Sequence, residues 1–519
     1  MLKYSIGLMR SAKNRSIILL VILSLGLFLR IYDLGDESIW LDEGNSIMTA
    51  NLNSFHQMIK QVANDSEHPP LHYIILHYWI NLFGDSEFST RFLSVIYSFF
   101  ALFMIYKVAT LIFNKNIGIL SCLLLALSRF HIHYSQEVRS YSLMTLLALL
   151  SIYFFIRLME KVSFKVSIGY IIFSTLLIYT HYFSIFIILA QNVYIFTLSL
   201  LSRRKCKLNF RVWLLFQGIL IILYMPWINT FINRTFRNIN VGYSWRPVPT
   251  INSIIDSFLV YSGSFYIAPI FLILCLFSMI TYKEKGRINR VDSLKFPGSH
   301  SGSISLSSTY RIYLLFVWLL TPIILPFVIS KFQFLNIYIT RYTIAASLAF
   351  YILVAKGIEN INNKFIKSVI IILIIVFSLG NIKAYYTEFI KGQEWREATN
   401  YIDIKAKKED ILLFHPDYCQ KYGFDYYSKR TDLNKKEFPK LDKVYIDMEQ
   451  IGSTIEGYNR VWIILYLSKE CAEPIKKMLN SEFYSLSYYK RYTGAIEVYL
   501  FEKINKYSIL SDEVLLNHG

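Results

Sequence analysis

The stretch SIILLVILSLGLFLRIYDLGDESIWLDEGNSIMTA, residues 16–50, decides how the rest of the chain is read. It opens on an apolar run from about Ser16 to Ile31 and ends beyond two adjacent carboxylates, Asp42 and Glu43. Such a run is close to the 20 or so residues that cross a bilayer core. No small-residue cleavage site follows it, so it reads as a retained span and not as a signal peptide. Runs of the same kind recur, among them VWLLFQGILIILYMPWI (212–228) and SVIIILIIVFSLG (368–380). Over 519 residues the chain is 54% hydrophobic and only 17% charged, where a soluble globular chain averages about a quarter charged.

The expected fold class is therefore a polytopic α-helical membrane protein. Eleven spans fall near residues 16–33, 91–112, 117–134, 140–157, 167–181, 183–201, 212–232, 261–281, 311–330, 342–356 and 368–383. On this layout the segments of one side hold 23 basic residues against 4 acidic ones (Glu160, Glu284, Asp292, Glu359). The outer loops and the C-terminal tail are each close to neutral, so the net charge of +18 sits on one side. That is the positive-inside bias of a membrane protein, and it removes the reason to invoke nucleic acid. An odd number of spans places the N-terminus in the cytoplasm and the tail outside, in a cell (plasma or inner) membrane.

Two domains are expected: a membrane module over 1–383, with an outer loop at 34–90, and an extracytoplasmic α/β domain over 384–519. In the tail the long apolar runs give way to short strand-like ones (DILLFHP, KVYID, RVWIILYL, AIEVYLFEK). Helix-like stretches, EWREATNYIDIKAKK and CAEPIKKMLNSEF, alternate with them, as in a small α/β domain. Cys419 and Cys471 both fall there, either as a pair or as two buried thiols. SLKFPGSHSGSISLSSTY (293–310) reads as a polar cytoplasmic loop. HPPLHYIILHYWINLFG (68–84) is too short to span and reads as an interfacial helix.

Four polar clusters fall on the outer face. They are the Asp42–Glu43 pair, SRFHIHYSQEVRSYS with His131, His133, Tyr134, Gln136, Glu137, Arg139 and Tyr141, YTHYF with His181 and Tyr182, and NIYITRYTIA with Arg341 and Tyr342. Ionisable groups at membrane depth usually line a functional cavity. Carboxylates with arginines at a lipid surface suit a reaction on an anionic lipid, the one as base and the other as phosphate partner. Plainer readings compete. Asp42–Glu43 also fits a solvated loop or a helix N-terminus, Glu137–Arg139 a structural pair, Arg341 an outer anchor, and His68, His72 and His77 interfacial aromatics. His131 and His133 alternate, so at most one faces a cavity, and no metal site is assigned.

LDEGNSIMTA, HPPLHYIILHYWINLFGDSEFSTRFLSVIYSFFALFMIYKVATLIF and LSRFHIHYSQEVRSYSLMTLLALLSIYFF, in that order, resemble the protein-mannosyltransferase-like branch of the GT-C membrane glycosyltransferases. That branch includes dolichyl-phosphate-mannose protein mannosyltransferases and bacterial aminoarabinose transferases. The resemblance is strong over about residues 15–160 and looser beyond, where Arg341–Tyr342 and EWREATNYI also fit. It implies an inverting transfer of a sugar from a polyprenyl-phosphate donor to a lipid, glycan or protein acceptor. It also implies Asp42 as general base, Glu43 as its neighbour and Glu137 as the second acidic position. Arg139 and Arg341 become phosphate contacts, and His68, His133, Tyr134, Tyr141, His181 and Tyr342 line the substrate site. No cofactor is called for. The sequence departs from the pattern at Arg129, where relatives more often carry proline. A lipid-glycan polymerase or ligase, or a transporter of lipid-linked sugars, is the alternative. A transporter would show inverted repeats and charges near the midplane, whereas here the charges gather at one face.

Overall fold

A computed structural model of the protein describes residues 2–65, 68–201, 208–241, 248–280, 308–332, 336–387, 392–438, 448–467, 477, 479 and 484–504. The chain divides into two compact units. One is Met1–Leu34 with Leu52–Phe389, the other Gly35–Asn51 with Ile390–Gly519.

The first unit is helical. It holds α1 (Leu2–Ile31), α3 (Phe55–Asp65), α4 (Leu71–Phe83), α5 (Glu87–Ile112), α6 (Lys115–Ala126), α7 (Arg129–Ser135), α8 (Tyr141–Glu160), α9 (Phe164–Ile178) and α10 (Ile185–Leu201). It continues through α11 (Phe210–Val241), α12 (Ile251–Ser262), α13 (Ala268–Phe277), α14 (Ser308–Lys331), α15 (Ile344–Glu359) and α16 (Lys364–Thr387). Among the described residues eight helices are long and apolar enough to cross a membrane, or nine if the bent pair α6–α7 is one span. The remaining two of the eleven expected spans correspond to α9 and α13, which have 15 and 10 residues. At 1.5 Å per residue they reach only about 22 and 15 Å, short of a core about 30 Å thick. The segment read as an interfacial helix is α4, which follows Pro69–Pro70 and ends at Gly84 with φ +79°.

The bend explains where polar residues enter the unit. The axes of α6 and α7 differ by 63°, so the last carbonyls of α6 lose their helical partners. Arg30, fully buried at the end of α1, supplies donors instead. Its Nη2 lies 3.1 Å from the Leu125 carbonyl and its Nη1 3.3 Å from that of Ala126, while Nε donates to Ser98 Oγ at 2.7 Å. On the far side of the break Ser128 Oγ accepts from the His131 backbone N–H and caps α7. Helix α15 is the hub, packed against α6, α8, α13, α14 and α16. Gly357 makes this possible, because a Cβ there would lie 1.9 Å from the Leu274 carbonyl oxygen of α13, the close backbone approach that small residues permit between membrane helices.

The second unit is a mixed α/β domain. Its strands are β1 (Ile411–His415), β2 (Asn434–Glu437), β3 (Arg460–Tyr466), β4 (Tyr484–Tyr492) and β5 (Ile496–Lys503). They form one sheet in the order β2-β1-β3-β5-β4. β1 runs parallel to β2 and β3, and β5 antiparallel to β3 and β4. Alternate residues of the central strands face opposite sides, and both sides are buried. Leu412, Phe414, Trp462 and Ile464 point into one core with Trp395, Ala398 and Ile402 of α17 (Trp395–Lys405). Ile411, Leu413, Val461 and Ile463 point into the other with Ile451 and Ile455 of α18 (Met448–Ile455). KVYID and most of CAEPIKKMLNSEF, with Cys471, lie outside the described residues; Cys419 is buried.

Helix α2 (Leu41–Ala50) belongs to this second unit, not with the residues on either side of it in sequence. Leu41 joins the first of the two sheet cores. The Leu41 N–H donates to Gln393 Oε1 at 3.2 Å, the Ile39 N–H to the Tyr427 hydroxyl at 2.6 Å, and Ser38 Oγ to Glu397 Oε2 at 2.8 Å. A Cβ on Gly44 would lie 1.8 Å from the Tyr422 carbonyl oxygen, so glycine lets α2 settle directly onto that backbone. The sequence placed 35–51 in an outer loop of the membrane module. The sheet face needing cover draws it into the tail instead.

Candidate active site

The candidate residues divide between the two units. Asp42 and Glu43 lie on α2 in the second, and the other nine lie in the first.

On α2 the two carboxylates do different things. Glu43 is fully buried, and its Oε2 accepts from the Trp40 backbone N–H at 3.3 Å. This is the third helical residue reaching back to the N-cap, a structural use of the carboxylate. Asp42 is half-buried, in the first turn of the helix, and its charge is felt by the Tyr418 and Tyr466 phenols.

In the first unit the loops joining α7 to α8, α9 to α10 and α14 to α15 bring their polar residues to His68, which precedes α4. Arg139 Nη2 donates to His68 Nε2 at 2.9 Å. The His68 and His181 rings are 4.5 Å apart between centroids, and His181 and Tyr342 5.0 Å apart. Tyr141 stands 6.3 Å from His68, 5.8 Å from His181 and 4.7 Å from Tyr134. Arg341 lies over the Tyr342 ring at 5.6 Å. Glu137 is buried next to His133, with Oε1 at 3.1 Å from Nε2, and its backbone carbonyl accepts from Ser94 Oγ at 2.7 Å. So seven of the expected residues gather with His68, and His133 is bound to Glu137 at one side. His131 turns away, Nε2 meeting Ser347 Oγ of α15 at 2.7 Å.

The electrostatics of this cluster follow from its cations. Burial holds the His68 imidazole well below its usual range, and His181, Arg139, Arg234 and Arg341 push in the same direction. His68 is therefore neutral, and because its Nε2 accepts from Arg139, its proton is on Nδ1. Burial acts to raise the Glu137 carboxyl, but His133, Arg341 and Arg139 outweigh it and hold it below the ordinary value, so Glu137 is a carboxylate. His68 Nδ1, Glu137 Oε2 and the Tyr141 hydroxyl are buried and have no hydrogen-bond partner among the described residues. Buried polar atoms are normally paired, and these three leave one donor, one acceptor and one hydroxyl for a bound molecule. Sequence reasoning missed Arg234, which sits near the end of the long α11 just past the expected span. No group of three or more His, Cys, Asp or Glu among the described residues could hold a metal ion.

Helices of this order, with a polar cluster at the ends of several spans and an α/β domain after the last, make the fold of the GT-C membrane glycosyltransferases. The resemblance carried by the sequence motifs agrees with it. Residues 67–229 match the family described as dolichyl-phosphate-mannose-protein mannosyltransferase, a range that includes His68, Glu137, Arg139 and His181. Among solved structures, apo ArnT from Cupriavidus metallidurans superimposes with a TM-score of 0.59 at 12% identity, over 94% of this chain and 98% of that one. The same protein bound to undecaprenyl phosphate gives 0.58 at 10% identity, over 93% and 97%. The Archaeoglobus fulgidus oligosaccharyltransferase in complex with zinc and sulfate gives 0.55 at 10% identity, over 93% of this chain and 72% of that one. No curated protein sequence matches the chain.

Proposed function

We propose that the protein is an inverting glycosyltransferase that moves a sugar from a polyprenyl-phosphate donor to a lipid, glycan or protein acceptor on the extracytoplasmic side. The observation that carries this reading is the gathering of Arg139, Arg234 and Arg341 round His68, with Arg139 and Arg341 also acting on Glu137, in a helical membrane unit. Three cations gathered round one site, Arg139 buried and Arg234 and Arg341 half-buried, suit a phosphate, whose negative charge grows as the bond to the sugar breaks. The similar ArnT structure is bound to undecaprenyl phosphate, and the Archaeoglobus AglB is in complex with an inhibitory peptide and a dolichol-phosphate. These support the donor class and leave the acceptor open. In this reading Asp42, matching the family's acidic position, takes the proton of the acceptor hydroxyl as its oxygen attacks C1 of the sugar. The anomeric configuration inverts, and the polyprenyl phosphate leaves with its charge offset by the arginines.

Purified protein in nanodiscs, offered a panel of polyprenyl-phosphate sugars with an acceptor extract, should transfer one of them. In a deletion strain, an envelope glycan or lipid assembled but lacking one terminal sugar agrees with a transferase. Loss of polymer length with every sugar present would instead support a polymerase or ligase.

Sidedness is part of the proposal. Reporter fusions after Lys207 and after Lys295 should report the cytoplasm, and a fusion at the C-terminus the outside. A cytoplasmic C-terminus would overturn the outward placement of the tail.

A further inference from the structure

Gln393 is buried just ahead of α17, in the second unit. Its Oε1 accepts from the Leu41 backbone N–H at 3.2 Å and from the Trp395 indole Nε1 at 2.8 Å. Both partners can only donate, so the chemistry fixes which end of the amide is oxygen. The other end, Nε2, donates to the Tyr466 hydroxyl at 2.7 Å. One side chain therefore joins the first residue of α2, the first of α17 and the last of β3. The hairpin turn between β4 and β5 holds it from behind. Gly494, with φ +79°, lies against it, and a Cβ there would come within 2.6 Å of Gln393 Cγ. Glu394 is tied to the same turn. Its N–H donates to the Thr493 carbonyl at 3.2 Å and its Oε2 accepts from the Thr493 N–H at 2.6 Å.

The start of α2 needs such a partner. The N–H groups of a first helical turn have no carbonyl within the helix. A side-chain oxygen at the preceding position normally serves them, but Trp40 stands there, and an indole only donates. Glu43 reaches back to the Trp40 N–H, and Gln393, 352 residues further on, takes that of Leu41. Asp42 is the next residue of the same turn. Burial and Tyr418 push the Tyr466 phenol up to about 12, and the Asp42 charge adds to the shift. Asp42 thus lies within electrostatic reach of the hydroxyl that Gln393 anchors.

We propose that Gln393 caps α2 from outside the helix and is a positioning residue for Asp42, holding the first turn to β3 and α17 so that the carboxylate keeps one place. Its meaning for transfer rests on the reading of Asp42 as the general base.

The test pairs hydrogen exchange with transfer kinetics on the full chain in nanodiscs. Gln393→Leu keeps the bulk and removes all three hydrogen bonds. Exchange in the peptide spanning 38–50 should quicken about threefold to tenfold, the worth of one hydrogen bond, with β1 and β3 as protected as before. The kcat for transfer from a polyprenyl-phosphate donor should fall by about 10–10²-fold, the cost of a small misplacement, with KM for the donor unchanged. Gln393→Glu retains an acceptor for both N–H groups, and Tyr466 can turn its proton toward it. That variant should restore protection of 38–50 and most of kcat, which side-chain bulk alone would not do. If Gln393→Leu does not fold, Gln393→Asn, which withdraws the amide by one methylene, carries the same expectation. Unchanged exchange in 38–50, quickened exchange in β1 and β3 as well, or an unchanged kcat beside a loosened 38–50 overturns the proposal. Failure of the unaltered protein to use any donor, or normal turnover in Asp42→Asn, sinks the functional reading instead, and exchange still decides the cap.

Discussion

Asp42→Asn is expected to lower sugar transfer by about 10²–10⁴ while the protein still inserts and folds, because that is the usual contribution of a positioned general base. An alcohol is a weak nucleophile, and asparagine keeps the shape of aspartate but cannot take its proton. Asp42 is half-buried in the first turn of α2, where asparagine is also accepted. Glu43 separates chemistry from structure on the same turn. Its carboxylate accepts from the Trp40 N–H, a contact that glutamine preserves. Glu43→Gln should therefore stay active. Glu43→Ala should lose about 0.5–2 kcal/mol of stability with the cap. The assay is transfer from a purified polyprenyl-phosphate donor at matched protein, beside a thermal unfolding curve. Near-normal turnover in Asp42→Asn, together with a dead Glu137→Gln, would move the base to Glu137.

Arg139→Ala should reduce transfer by about 10²–10³, the loss seen when one preorganised donor to developing charge is removed. The side chain is buried and its Nη2 is committed to His68 Nε2. Truncation would remove a cation from the phosphate and also release the nitrogen that sets the proton position of His68. Arg139→Lys should recover only part of the activity, since an ammonium lacks the planar fork. Arg341→Ala should act in the same direction. Its cation stands over Tyr342 within the same cluster. Unchanged donor kinetics in both variants would reduce them to structural partners and remove the argument for a phosphate at this place.

The spans and the acidic pair were legible in the sequence because each leaves a local mark: a long apolar run, or a carboxylate where grease is the rule. What stayed illegible was set by distant partners. The break between α6 and α7, at Ser128, lies inside what reads as one span, and it is stabilised by Arg30, some hundred residues earlier in the chain. Strand β4 has only its end residues buried, so an edge strand rich in Tyr and Ser shows no clean alternation. Strand β2, NKKE, has no buried residue to betray it. In the candidate site the histidines, tyrosines and two arginines stood out by their residue type near span ends. Arg234 did not, since it lies in a stretch that reads as the frayed end of a span. The use of Glu43 as a cap needed the backbone of Trp40 to be in place.

The tie between Leu41 and Gln393 joins residues 352 positions apart. Ribosomes add about 5–20 residues per second, so the helix carrying Asp42 leaves the ribosome tens of seconds before the sheet that completes its core exists. During synthesis every membrane helix can be inserted while α2 still waits. A chain cut short before residue 390 would keep its arginines and its spans, yet present the acidic pair on a segment without its sheet. Such a fragment should sit in the membrane, bind lipid phosphate and transfer nothing. On the proposed reading, the base would be in place only once the last part of the protein has arrived.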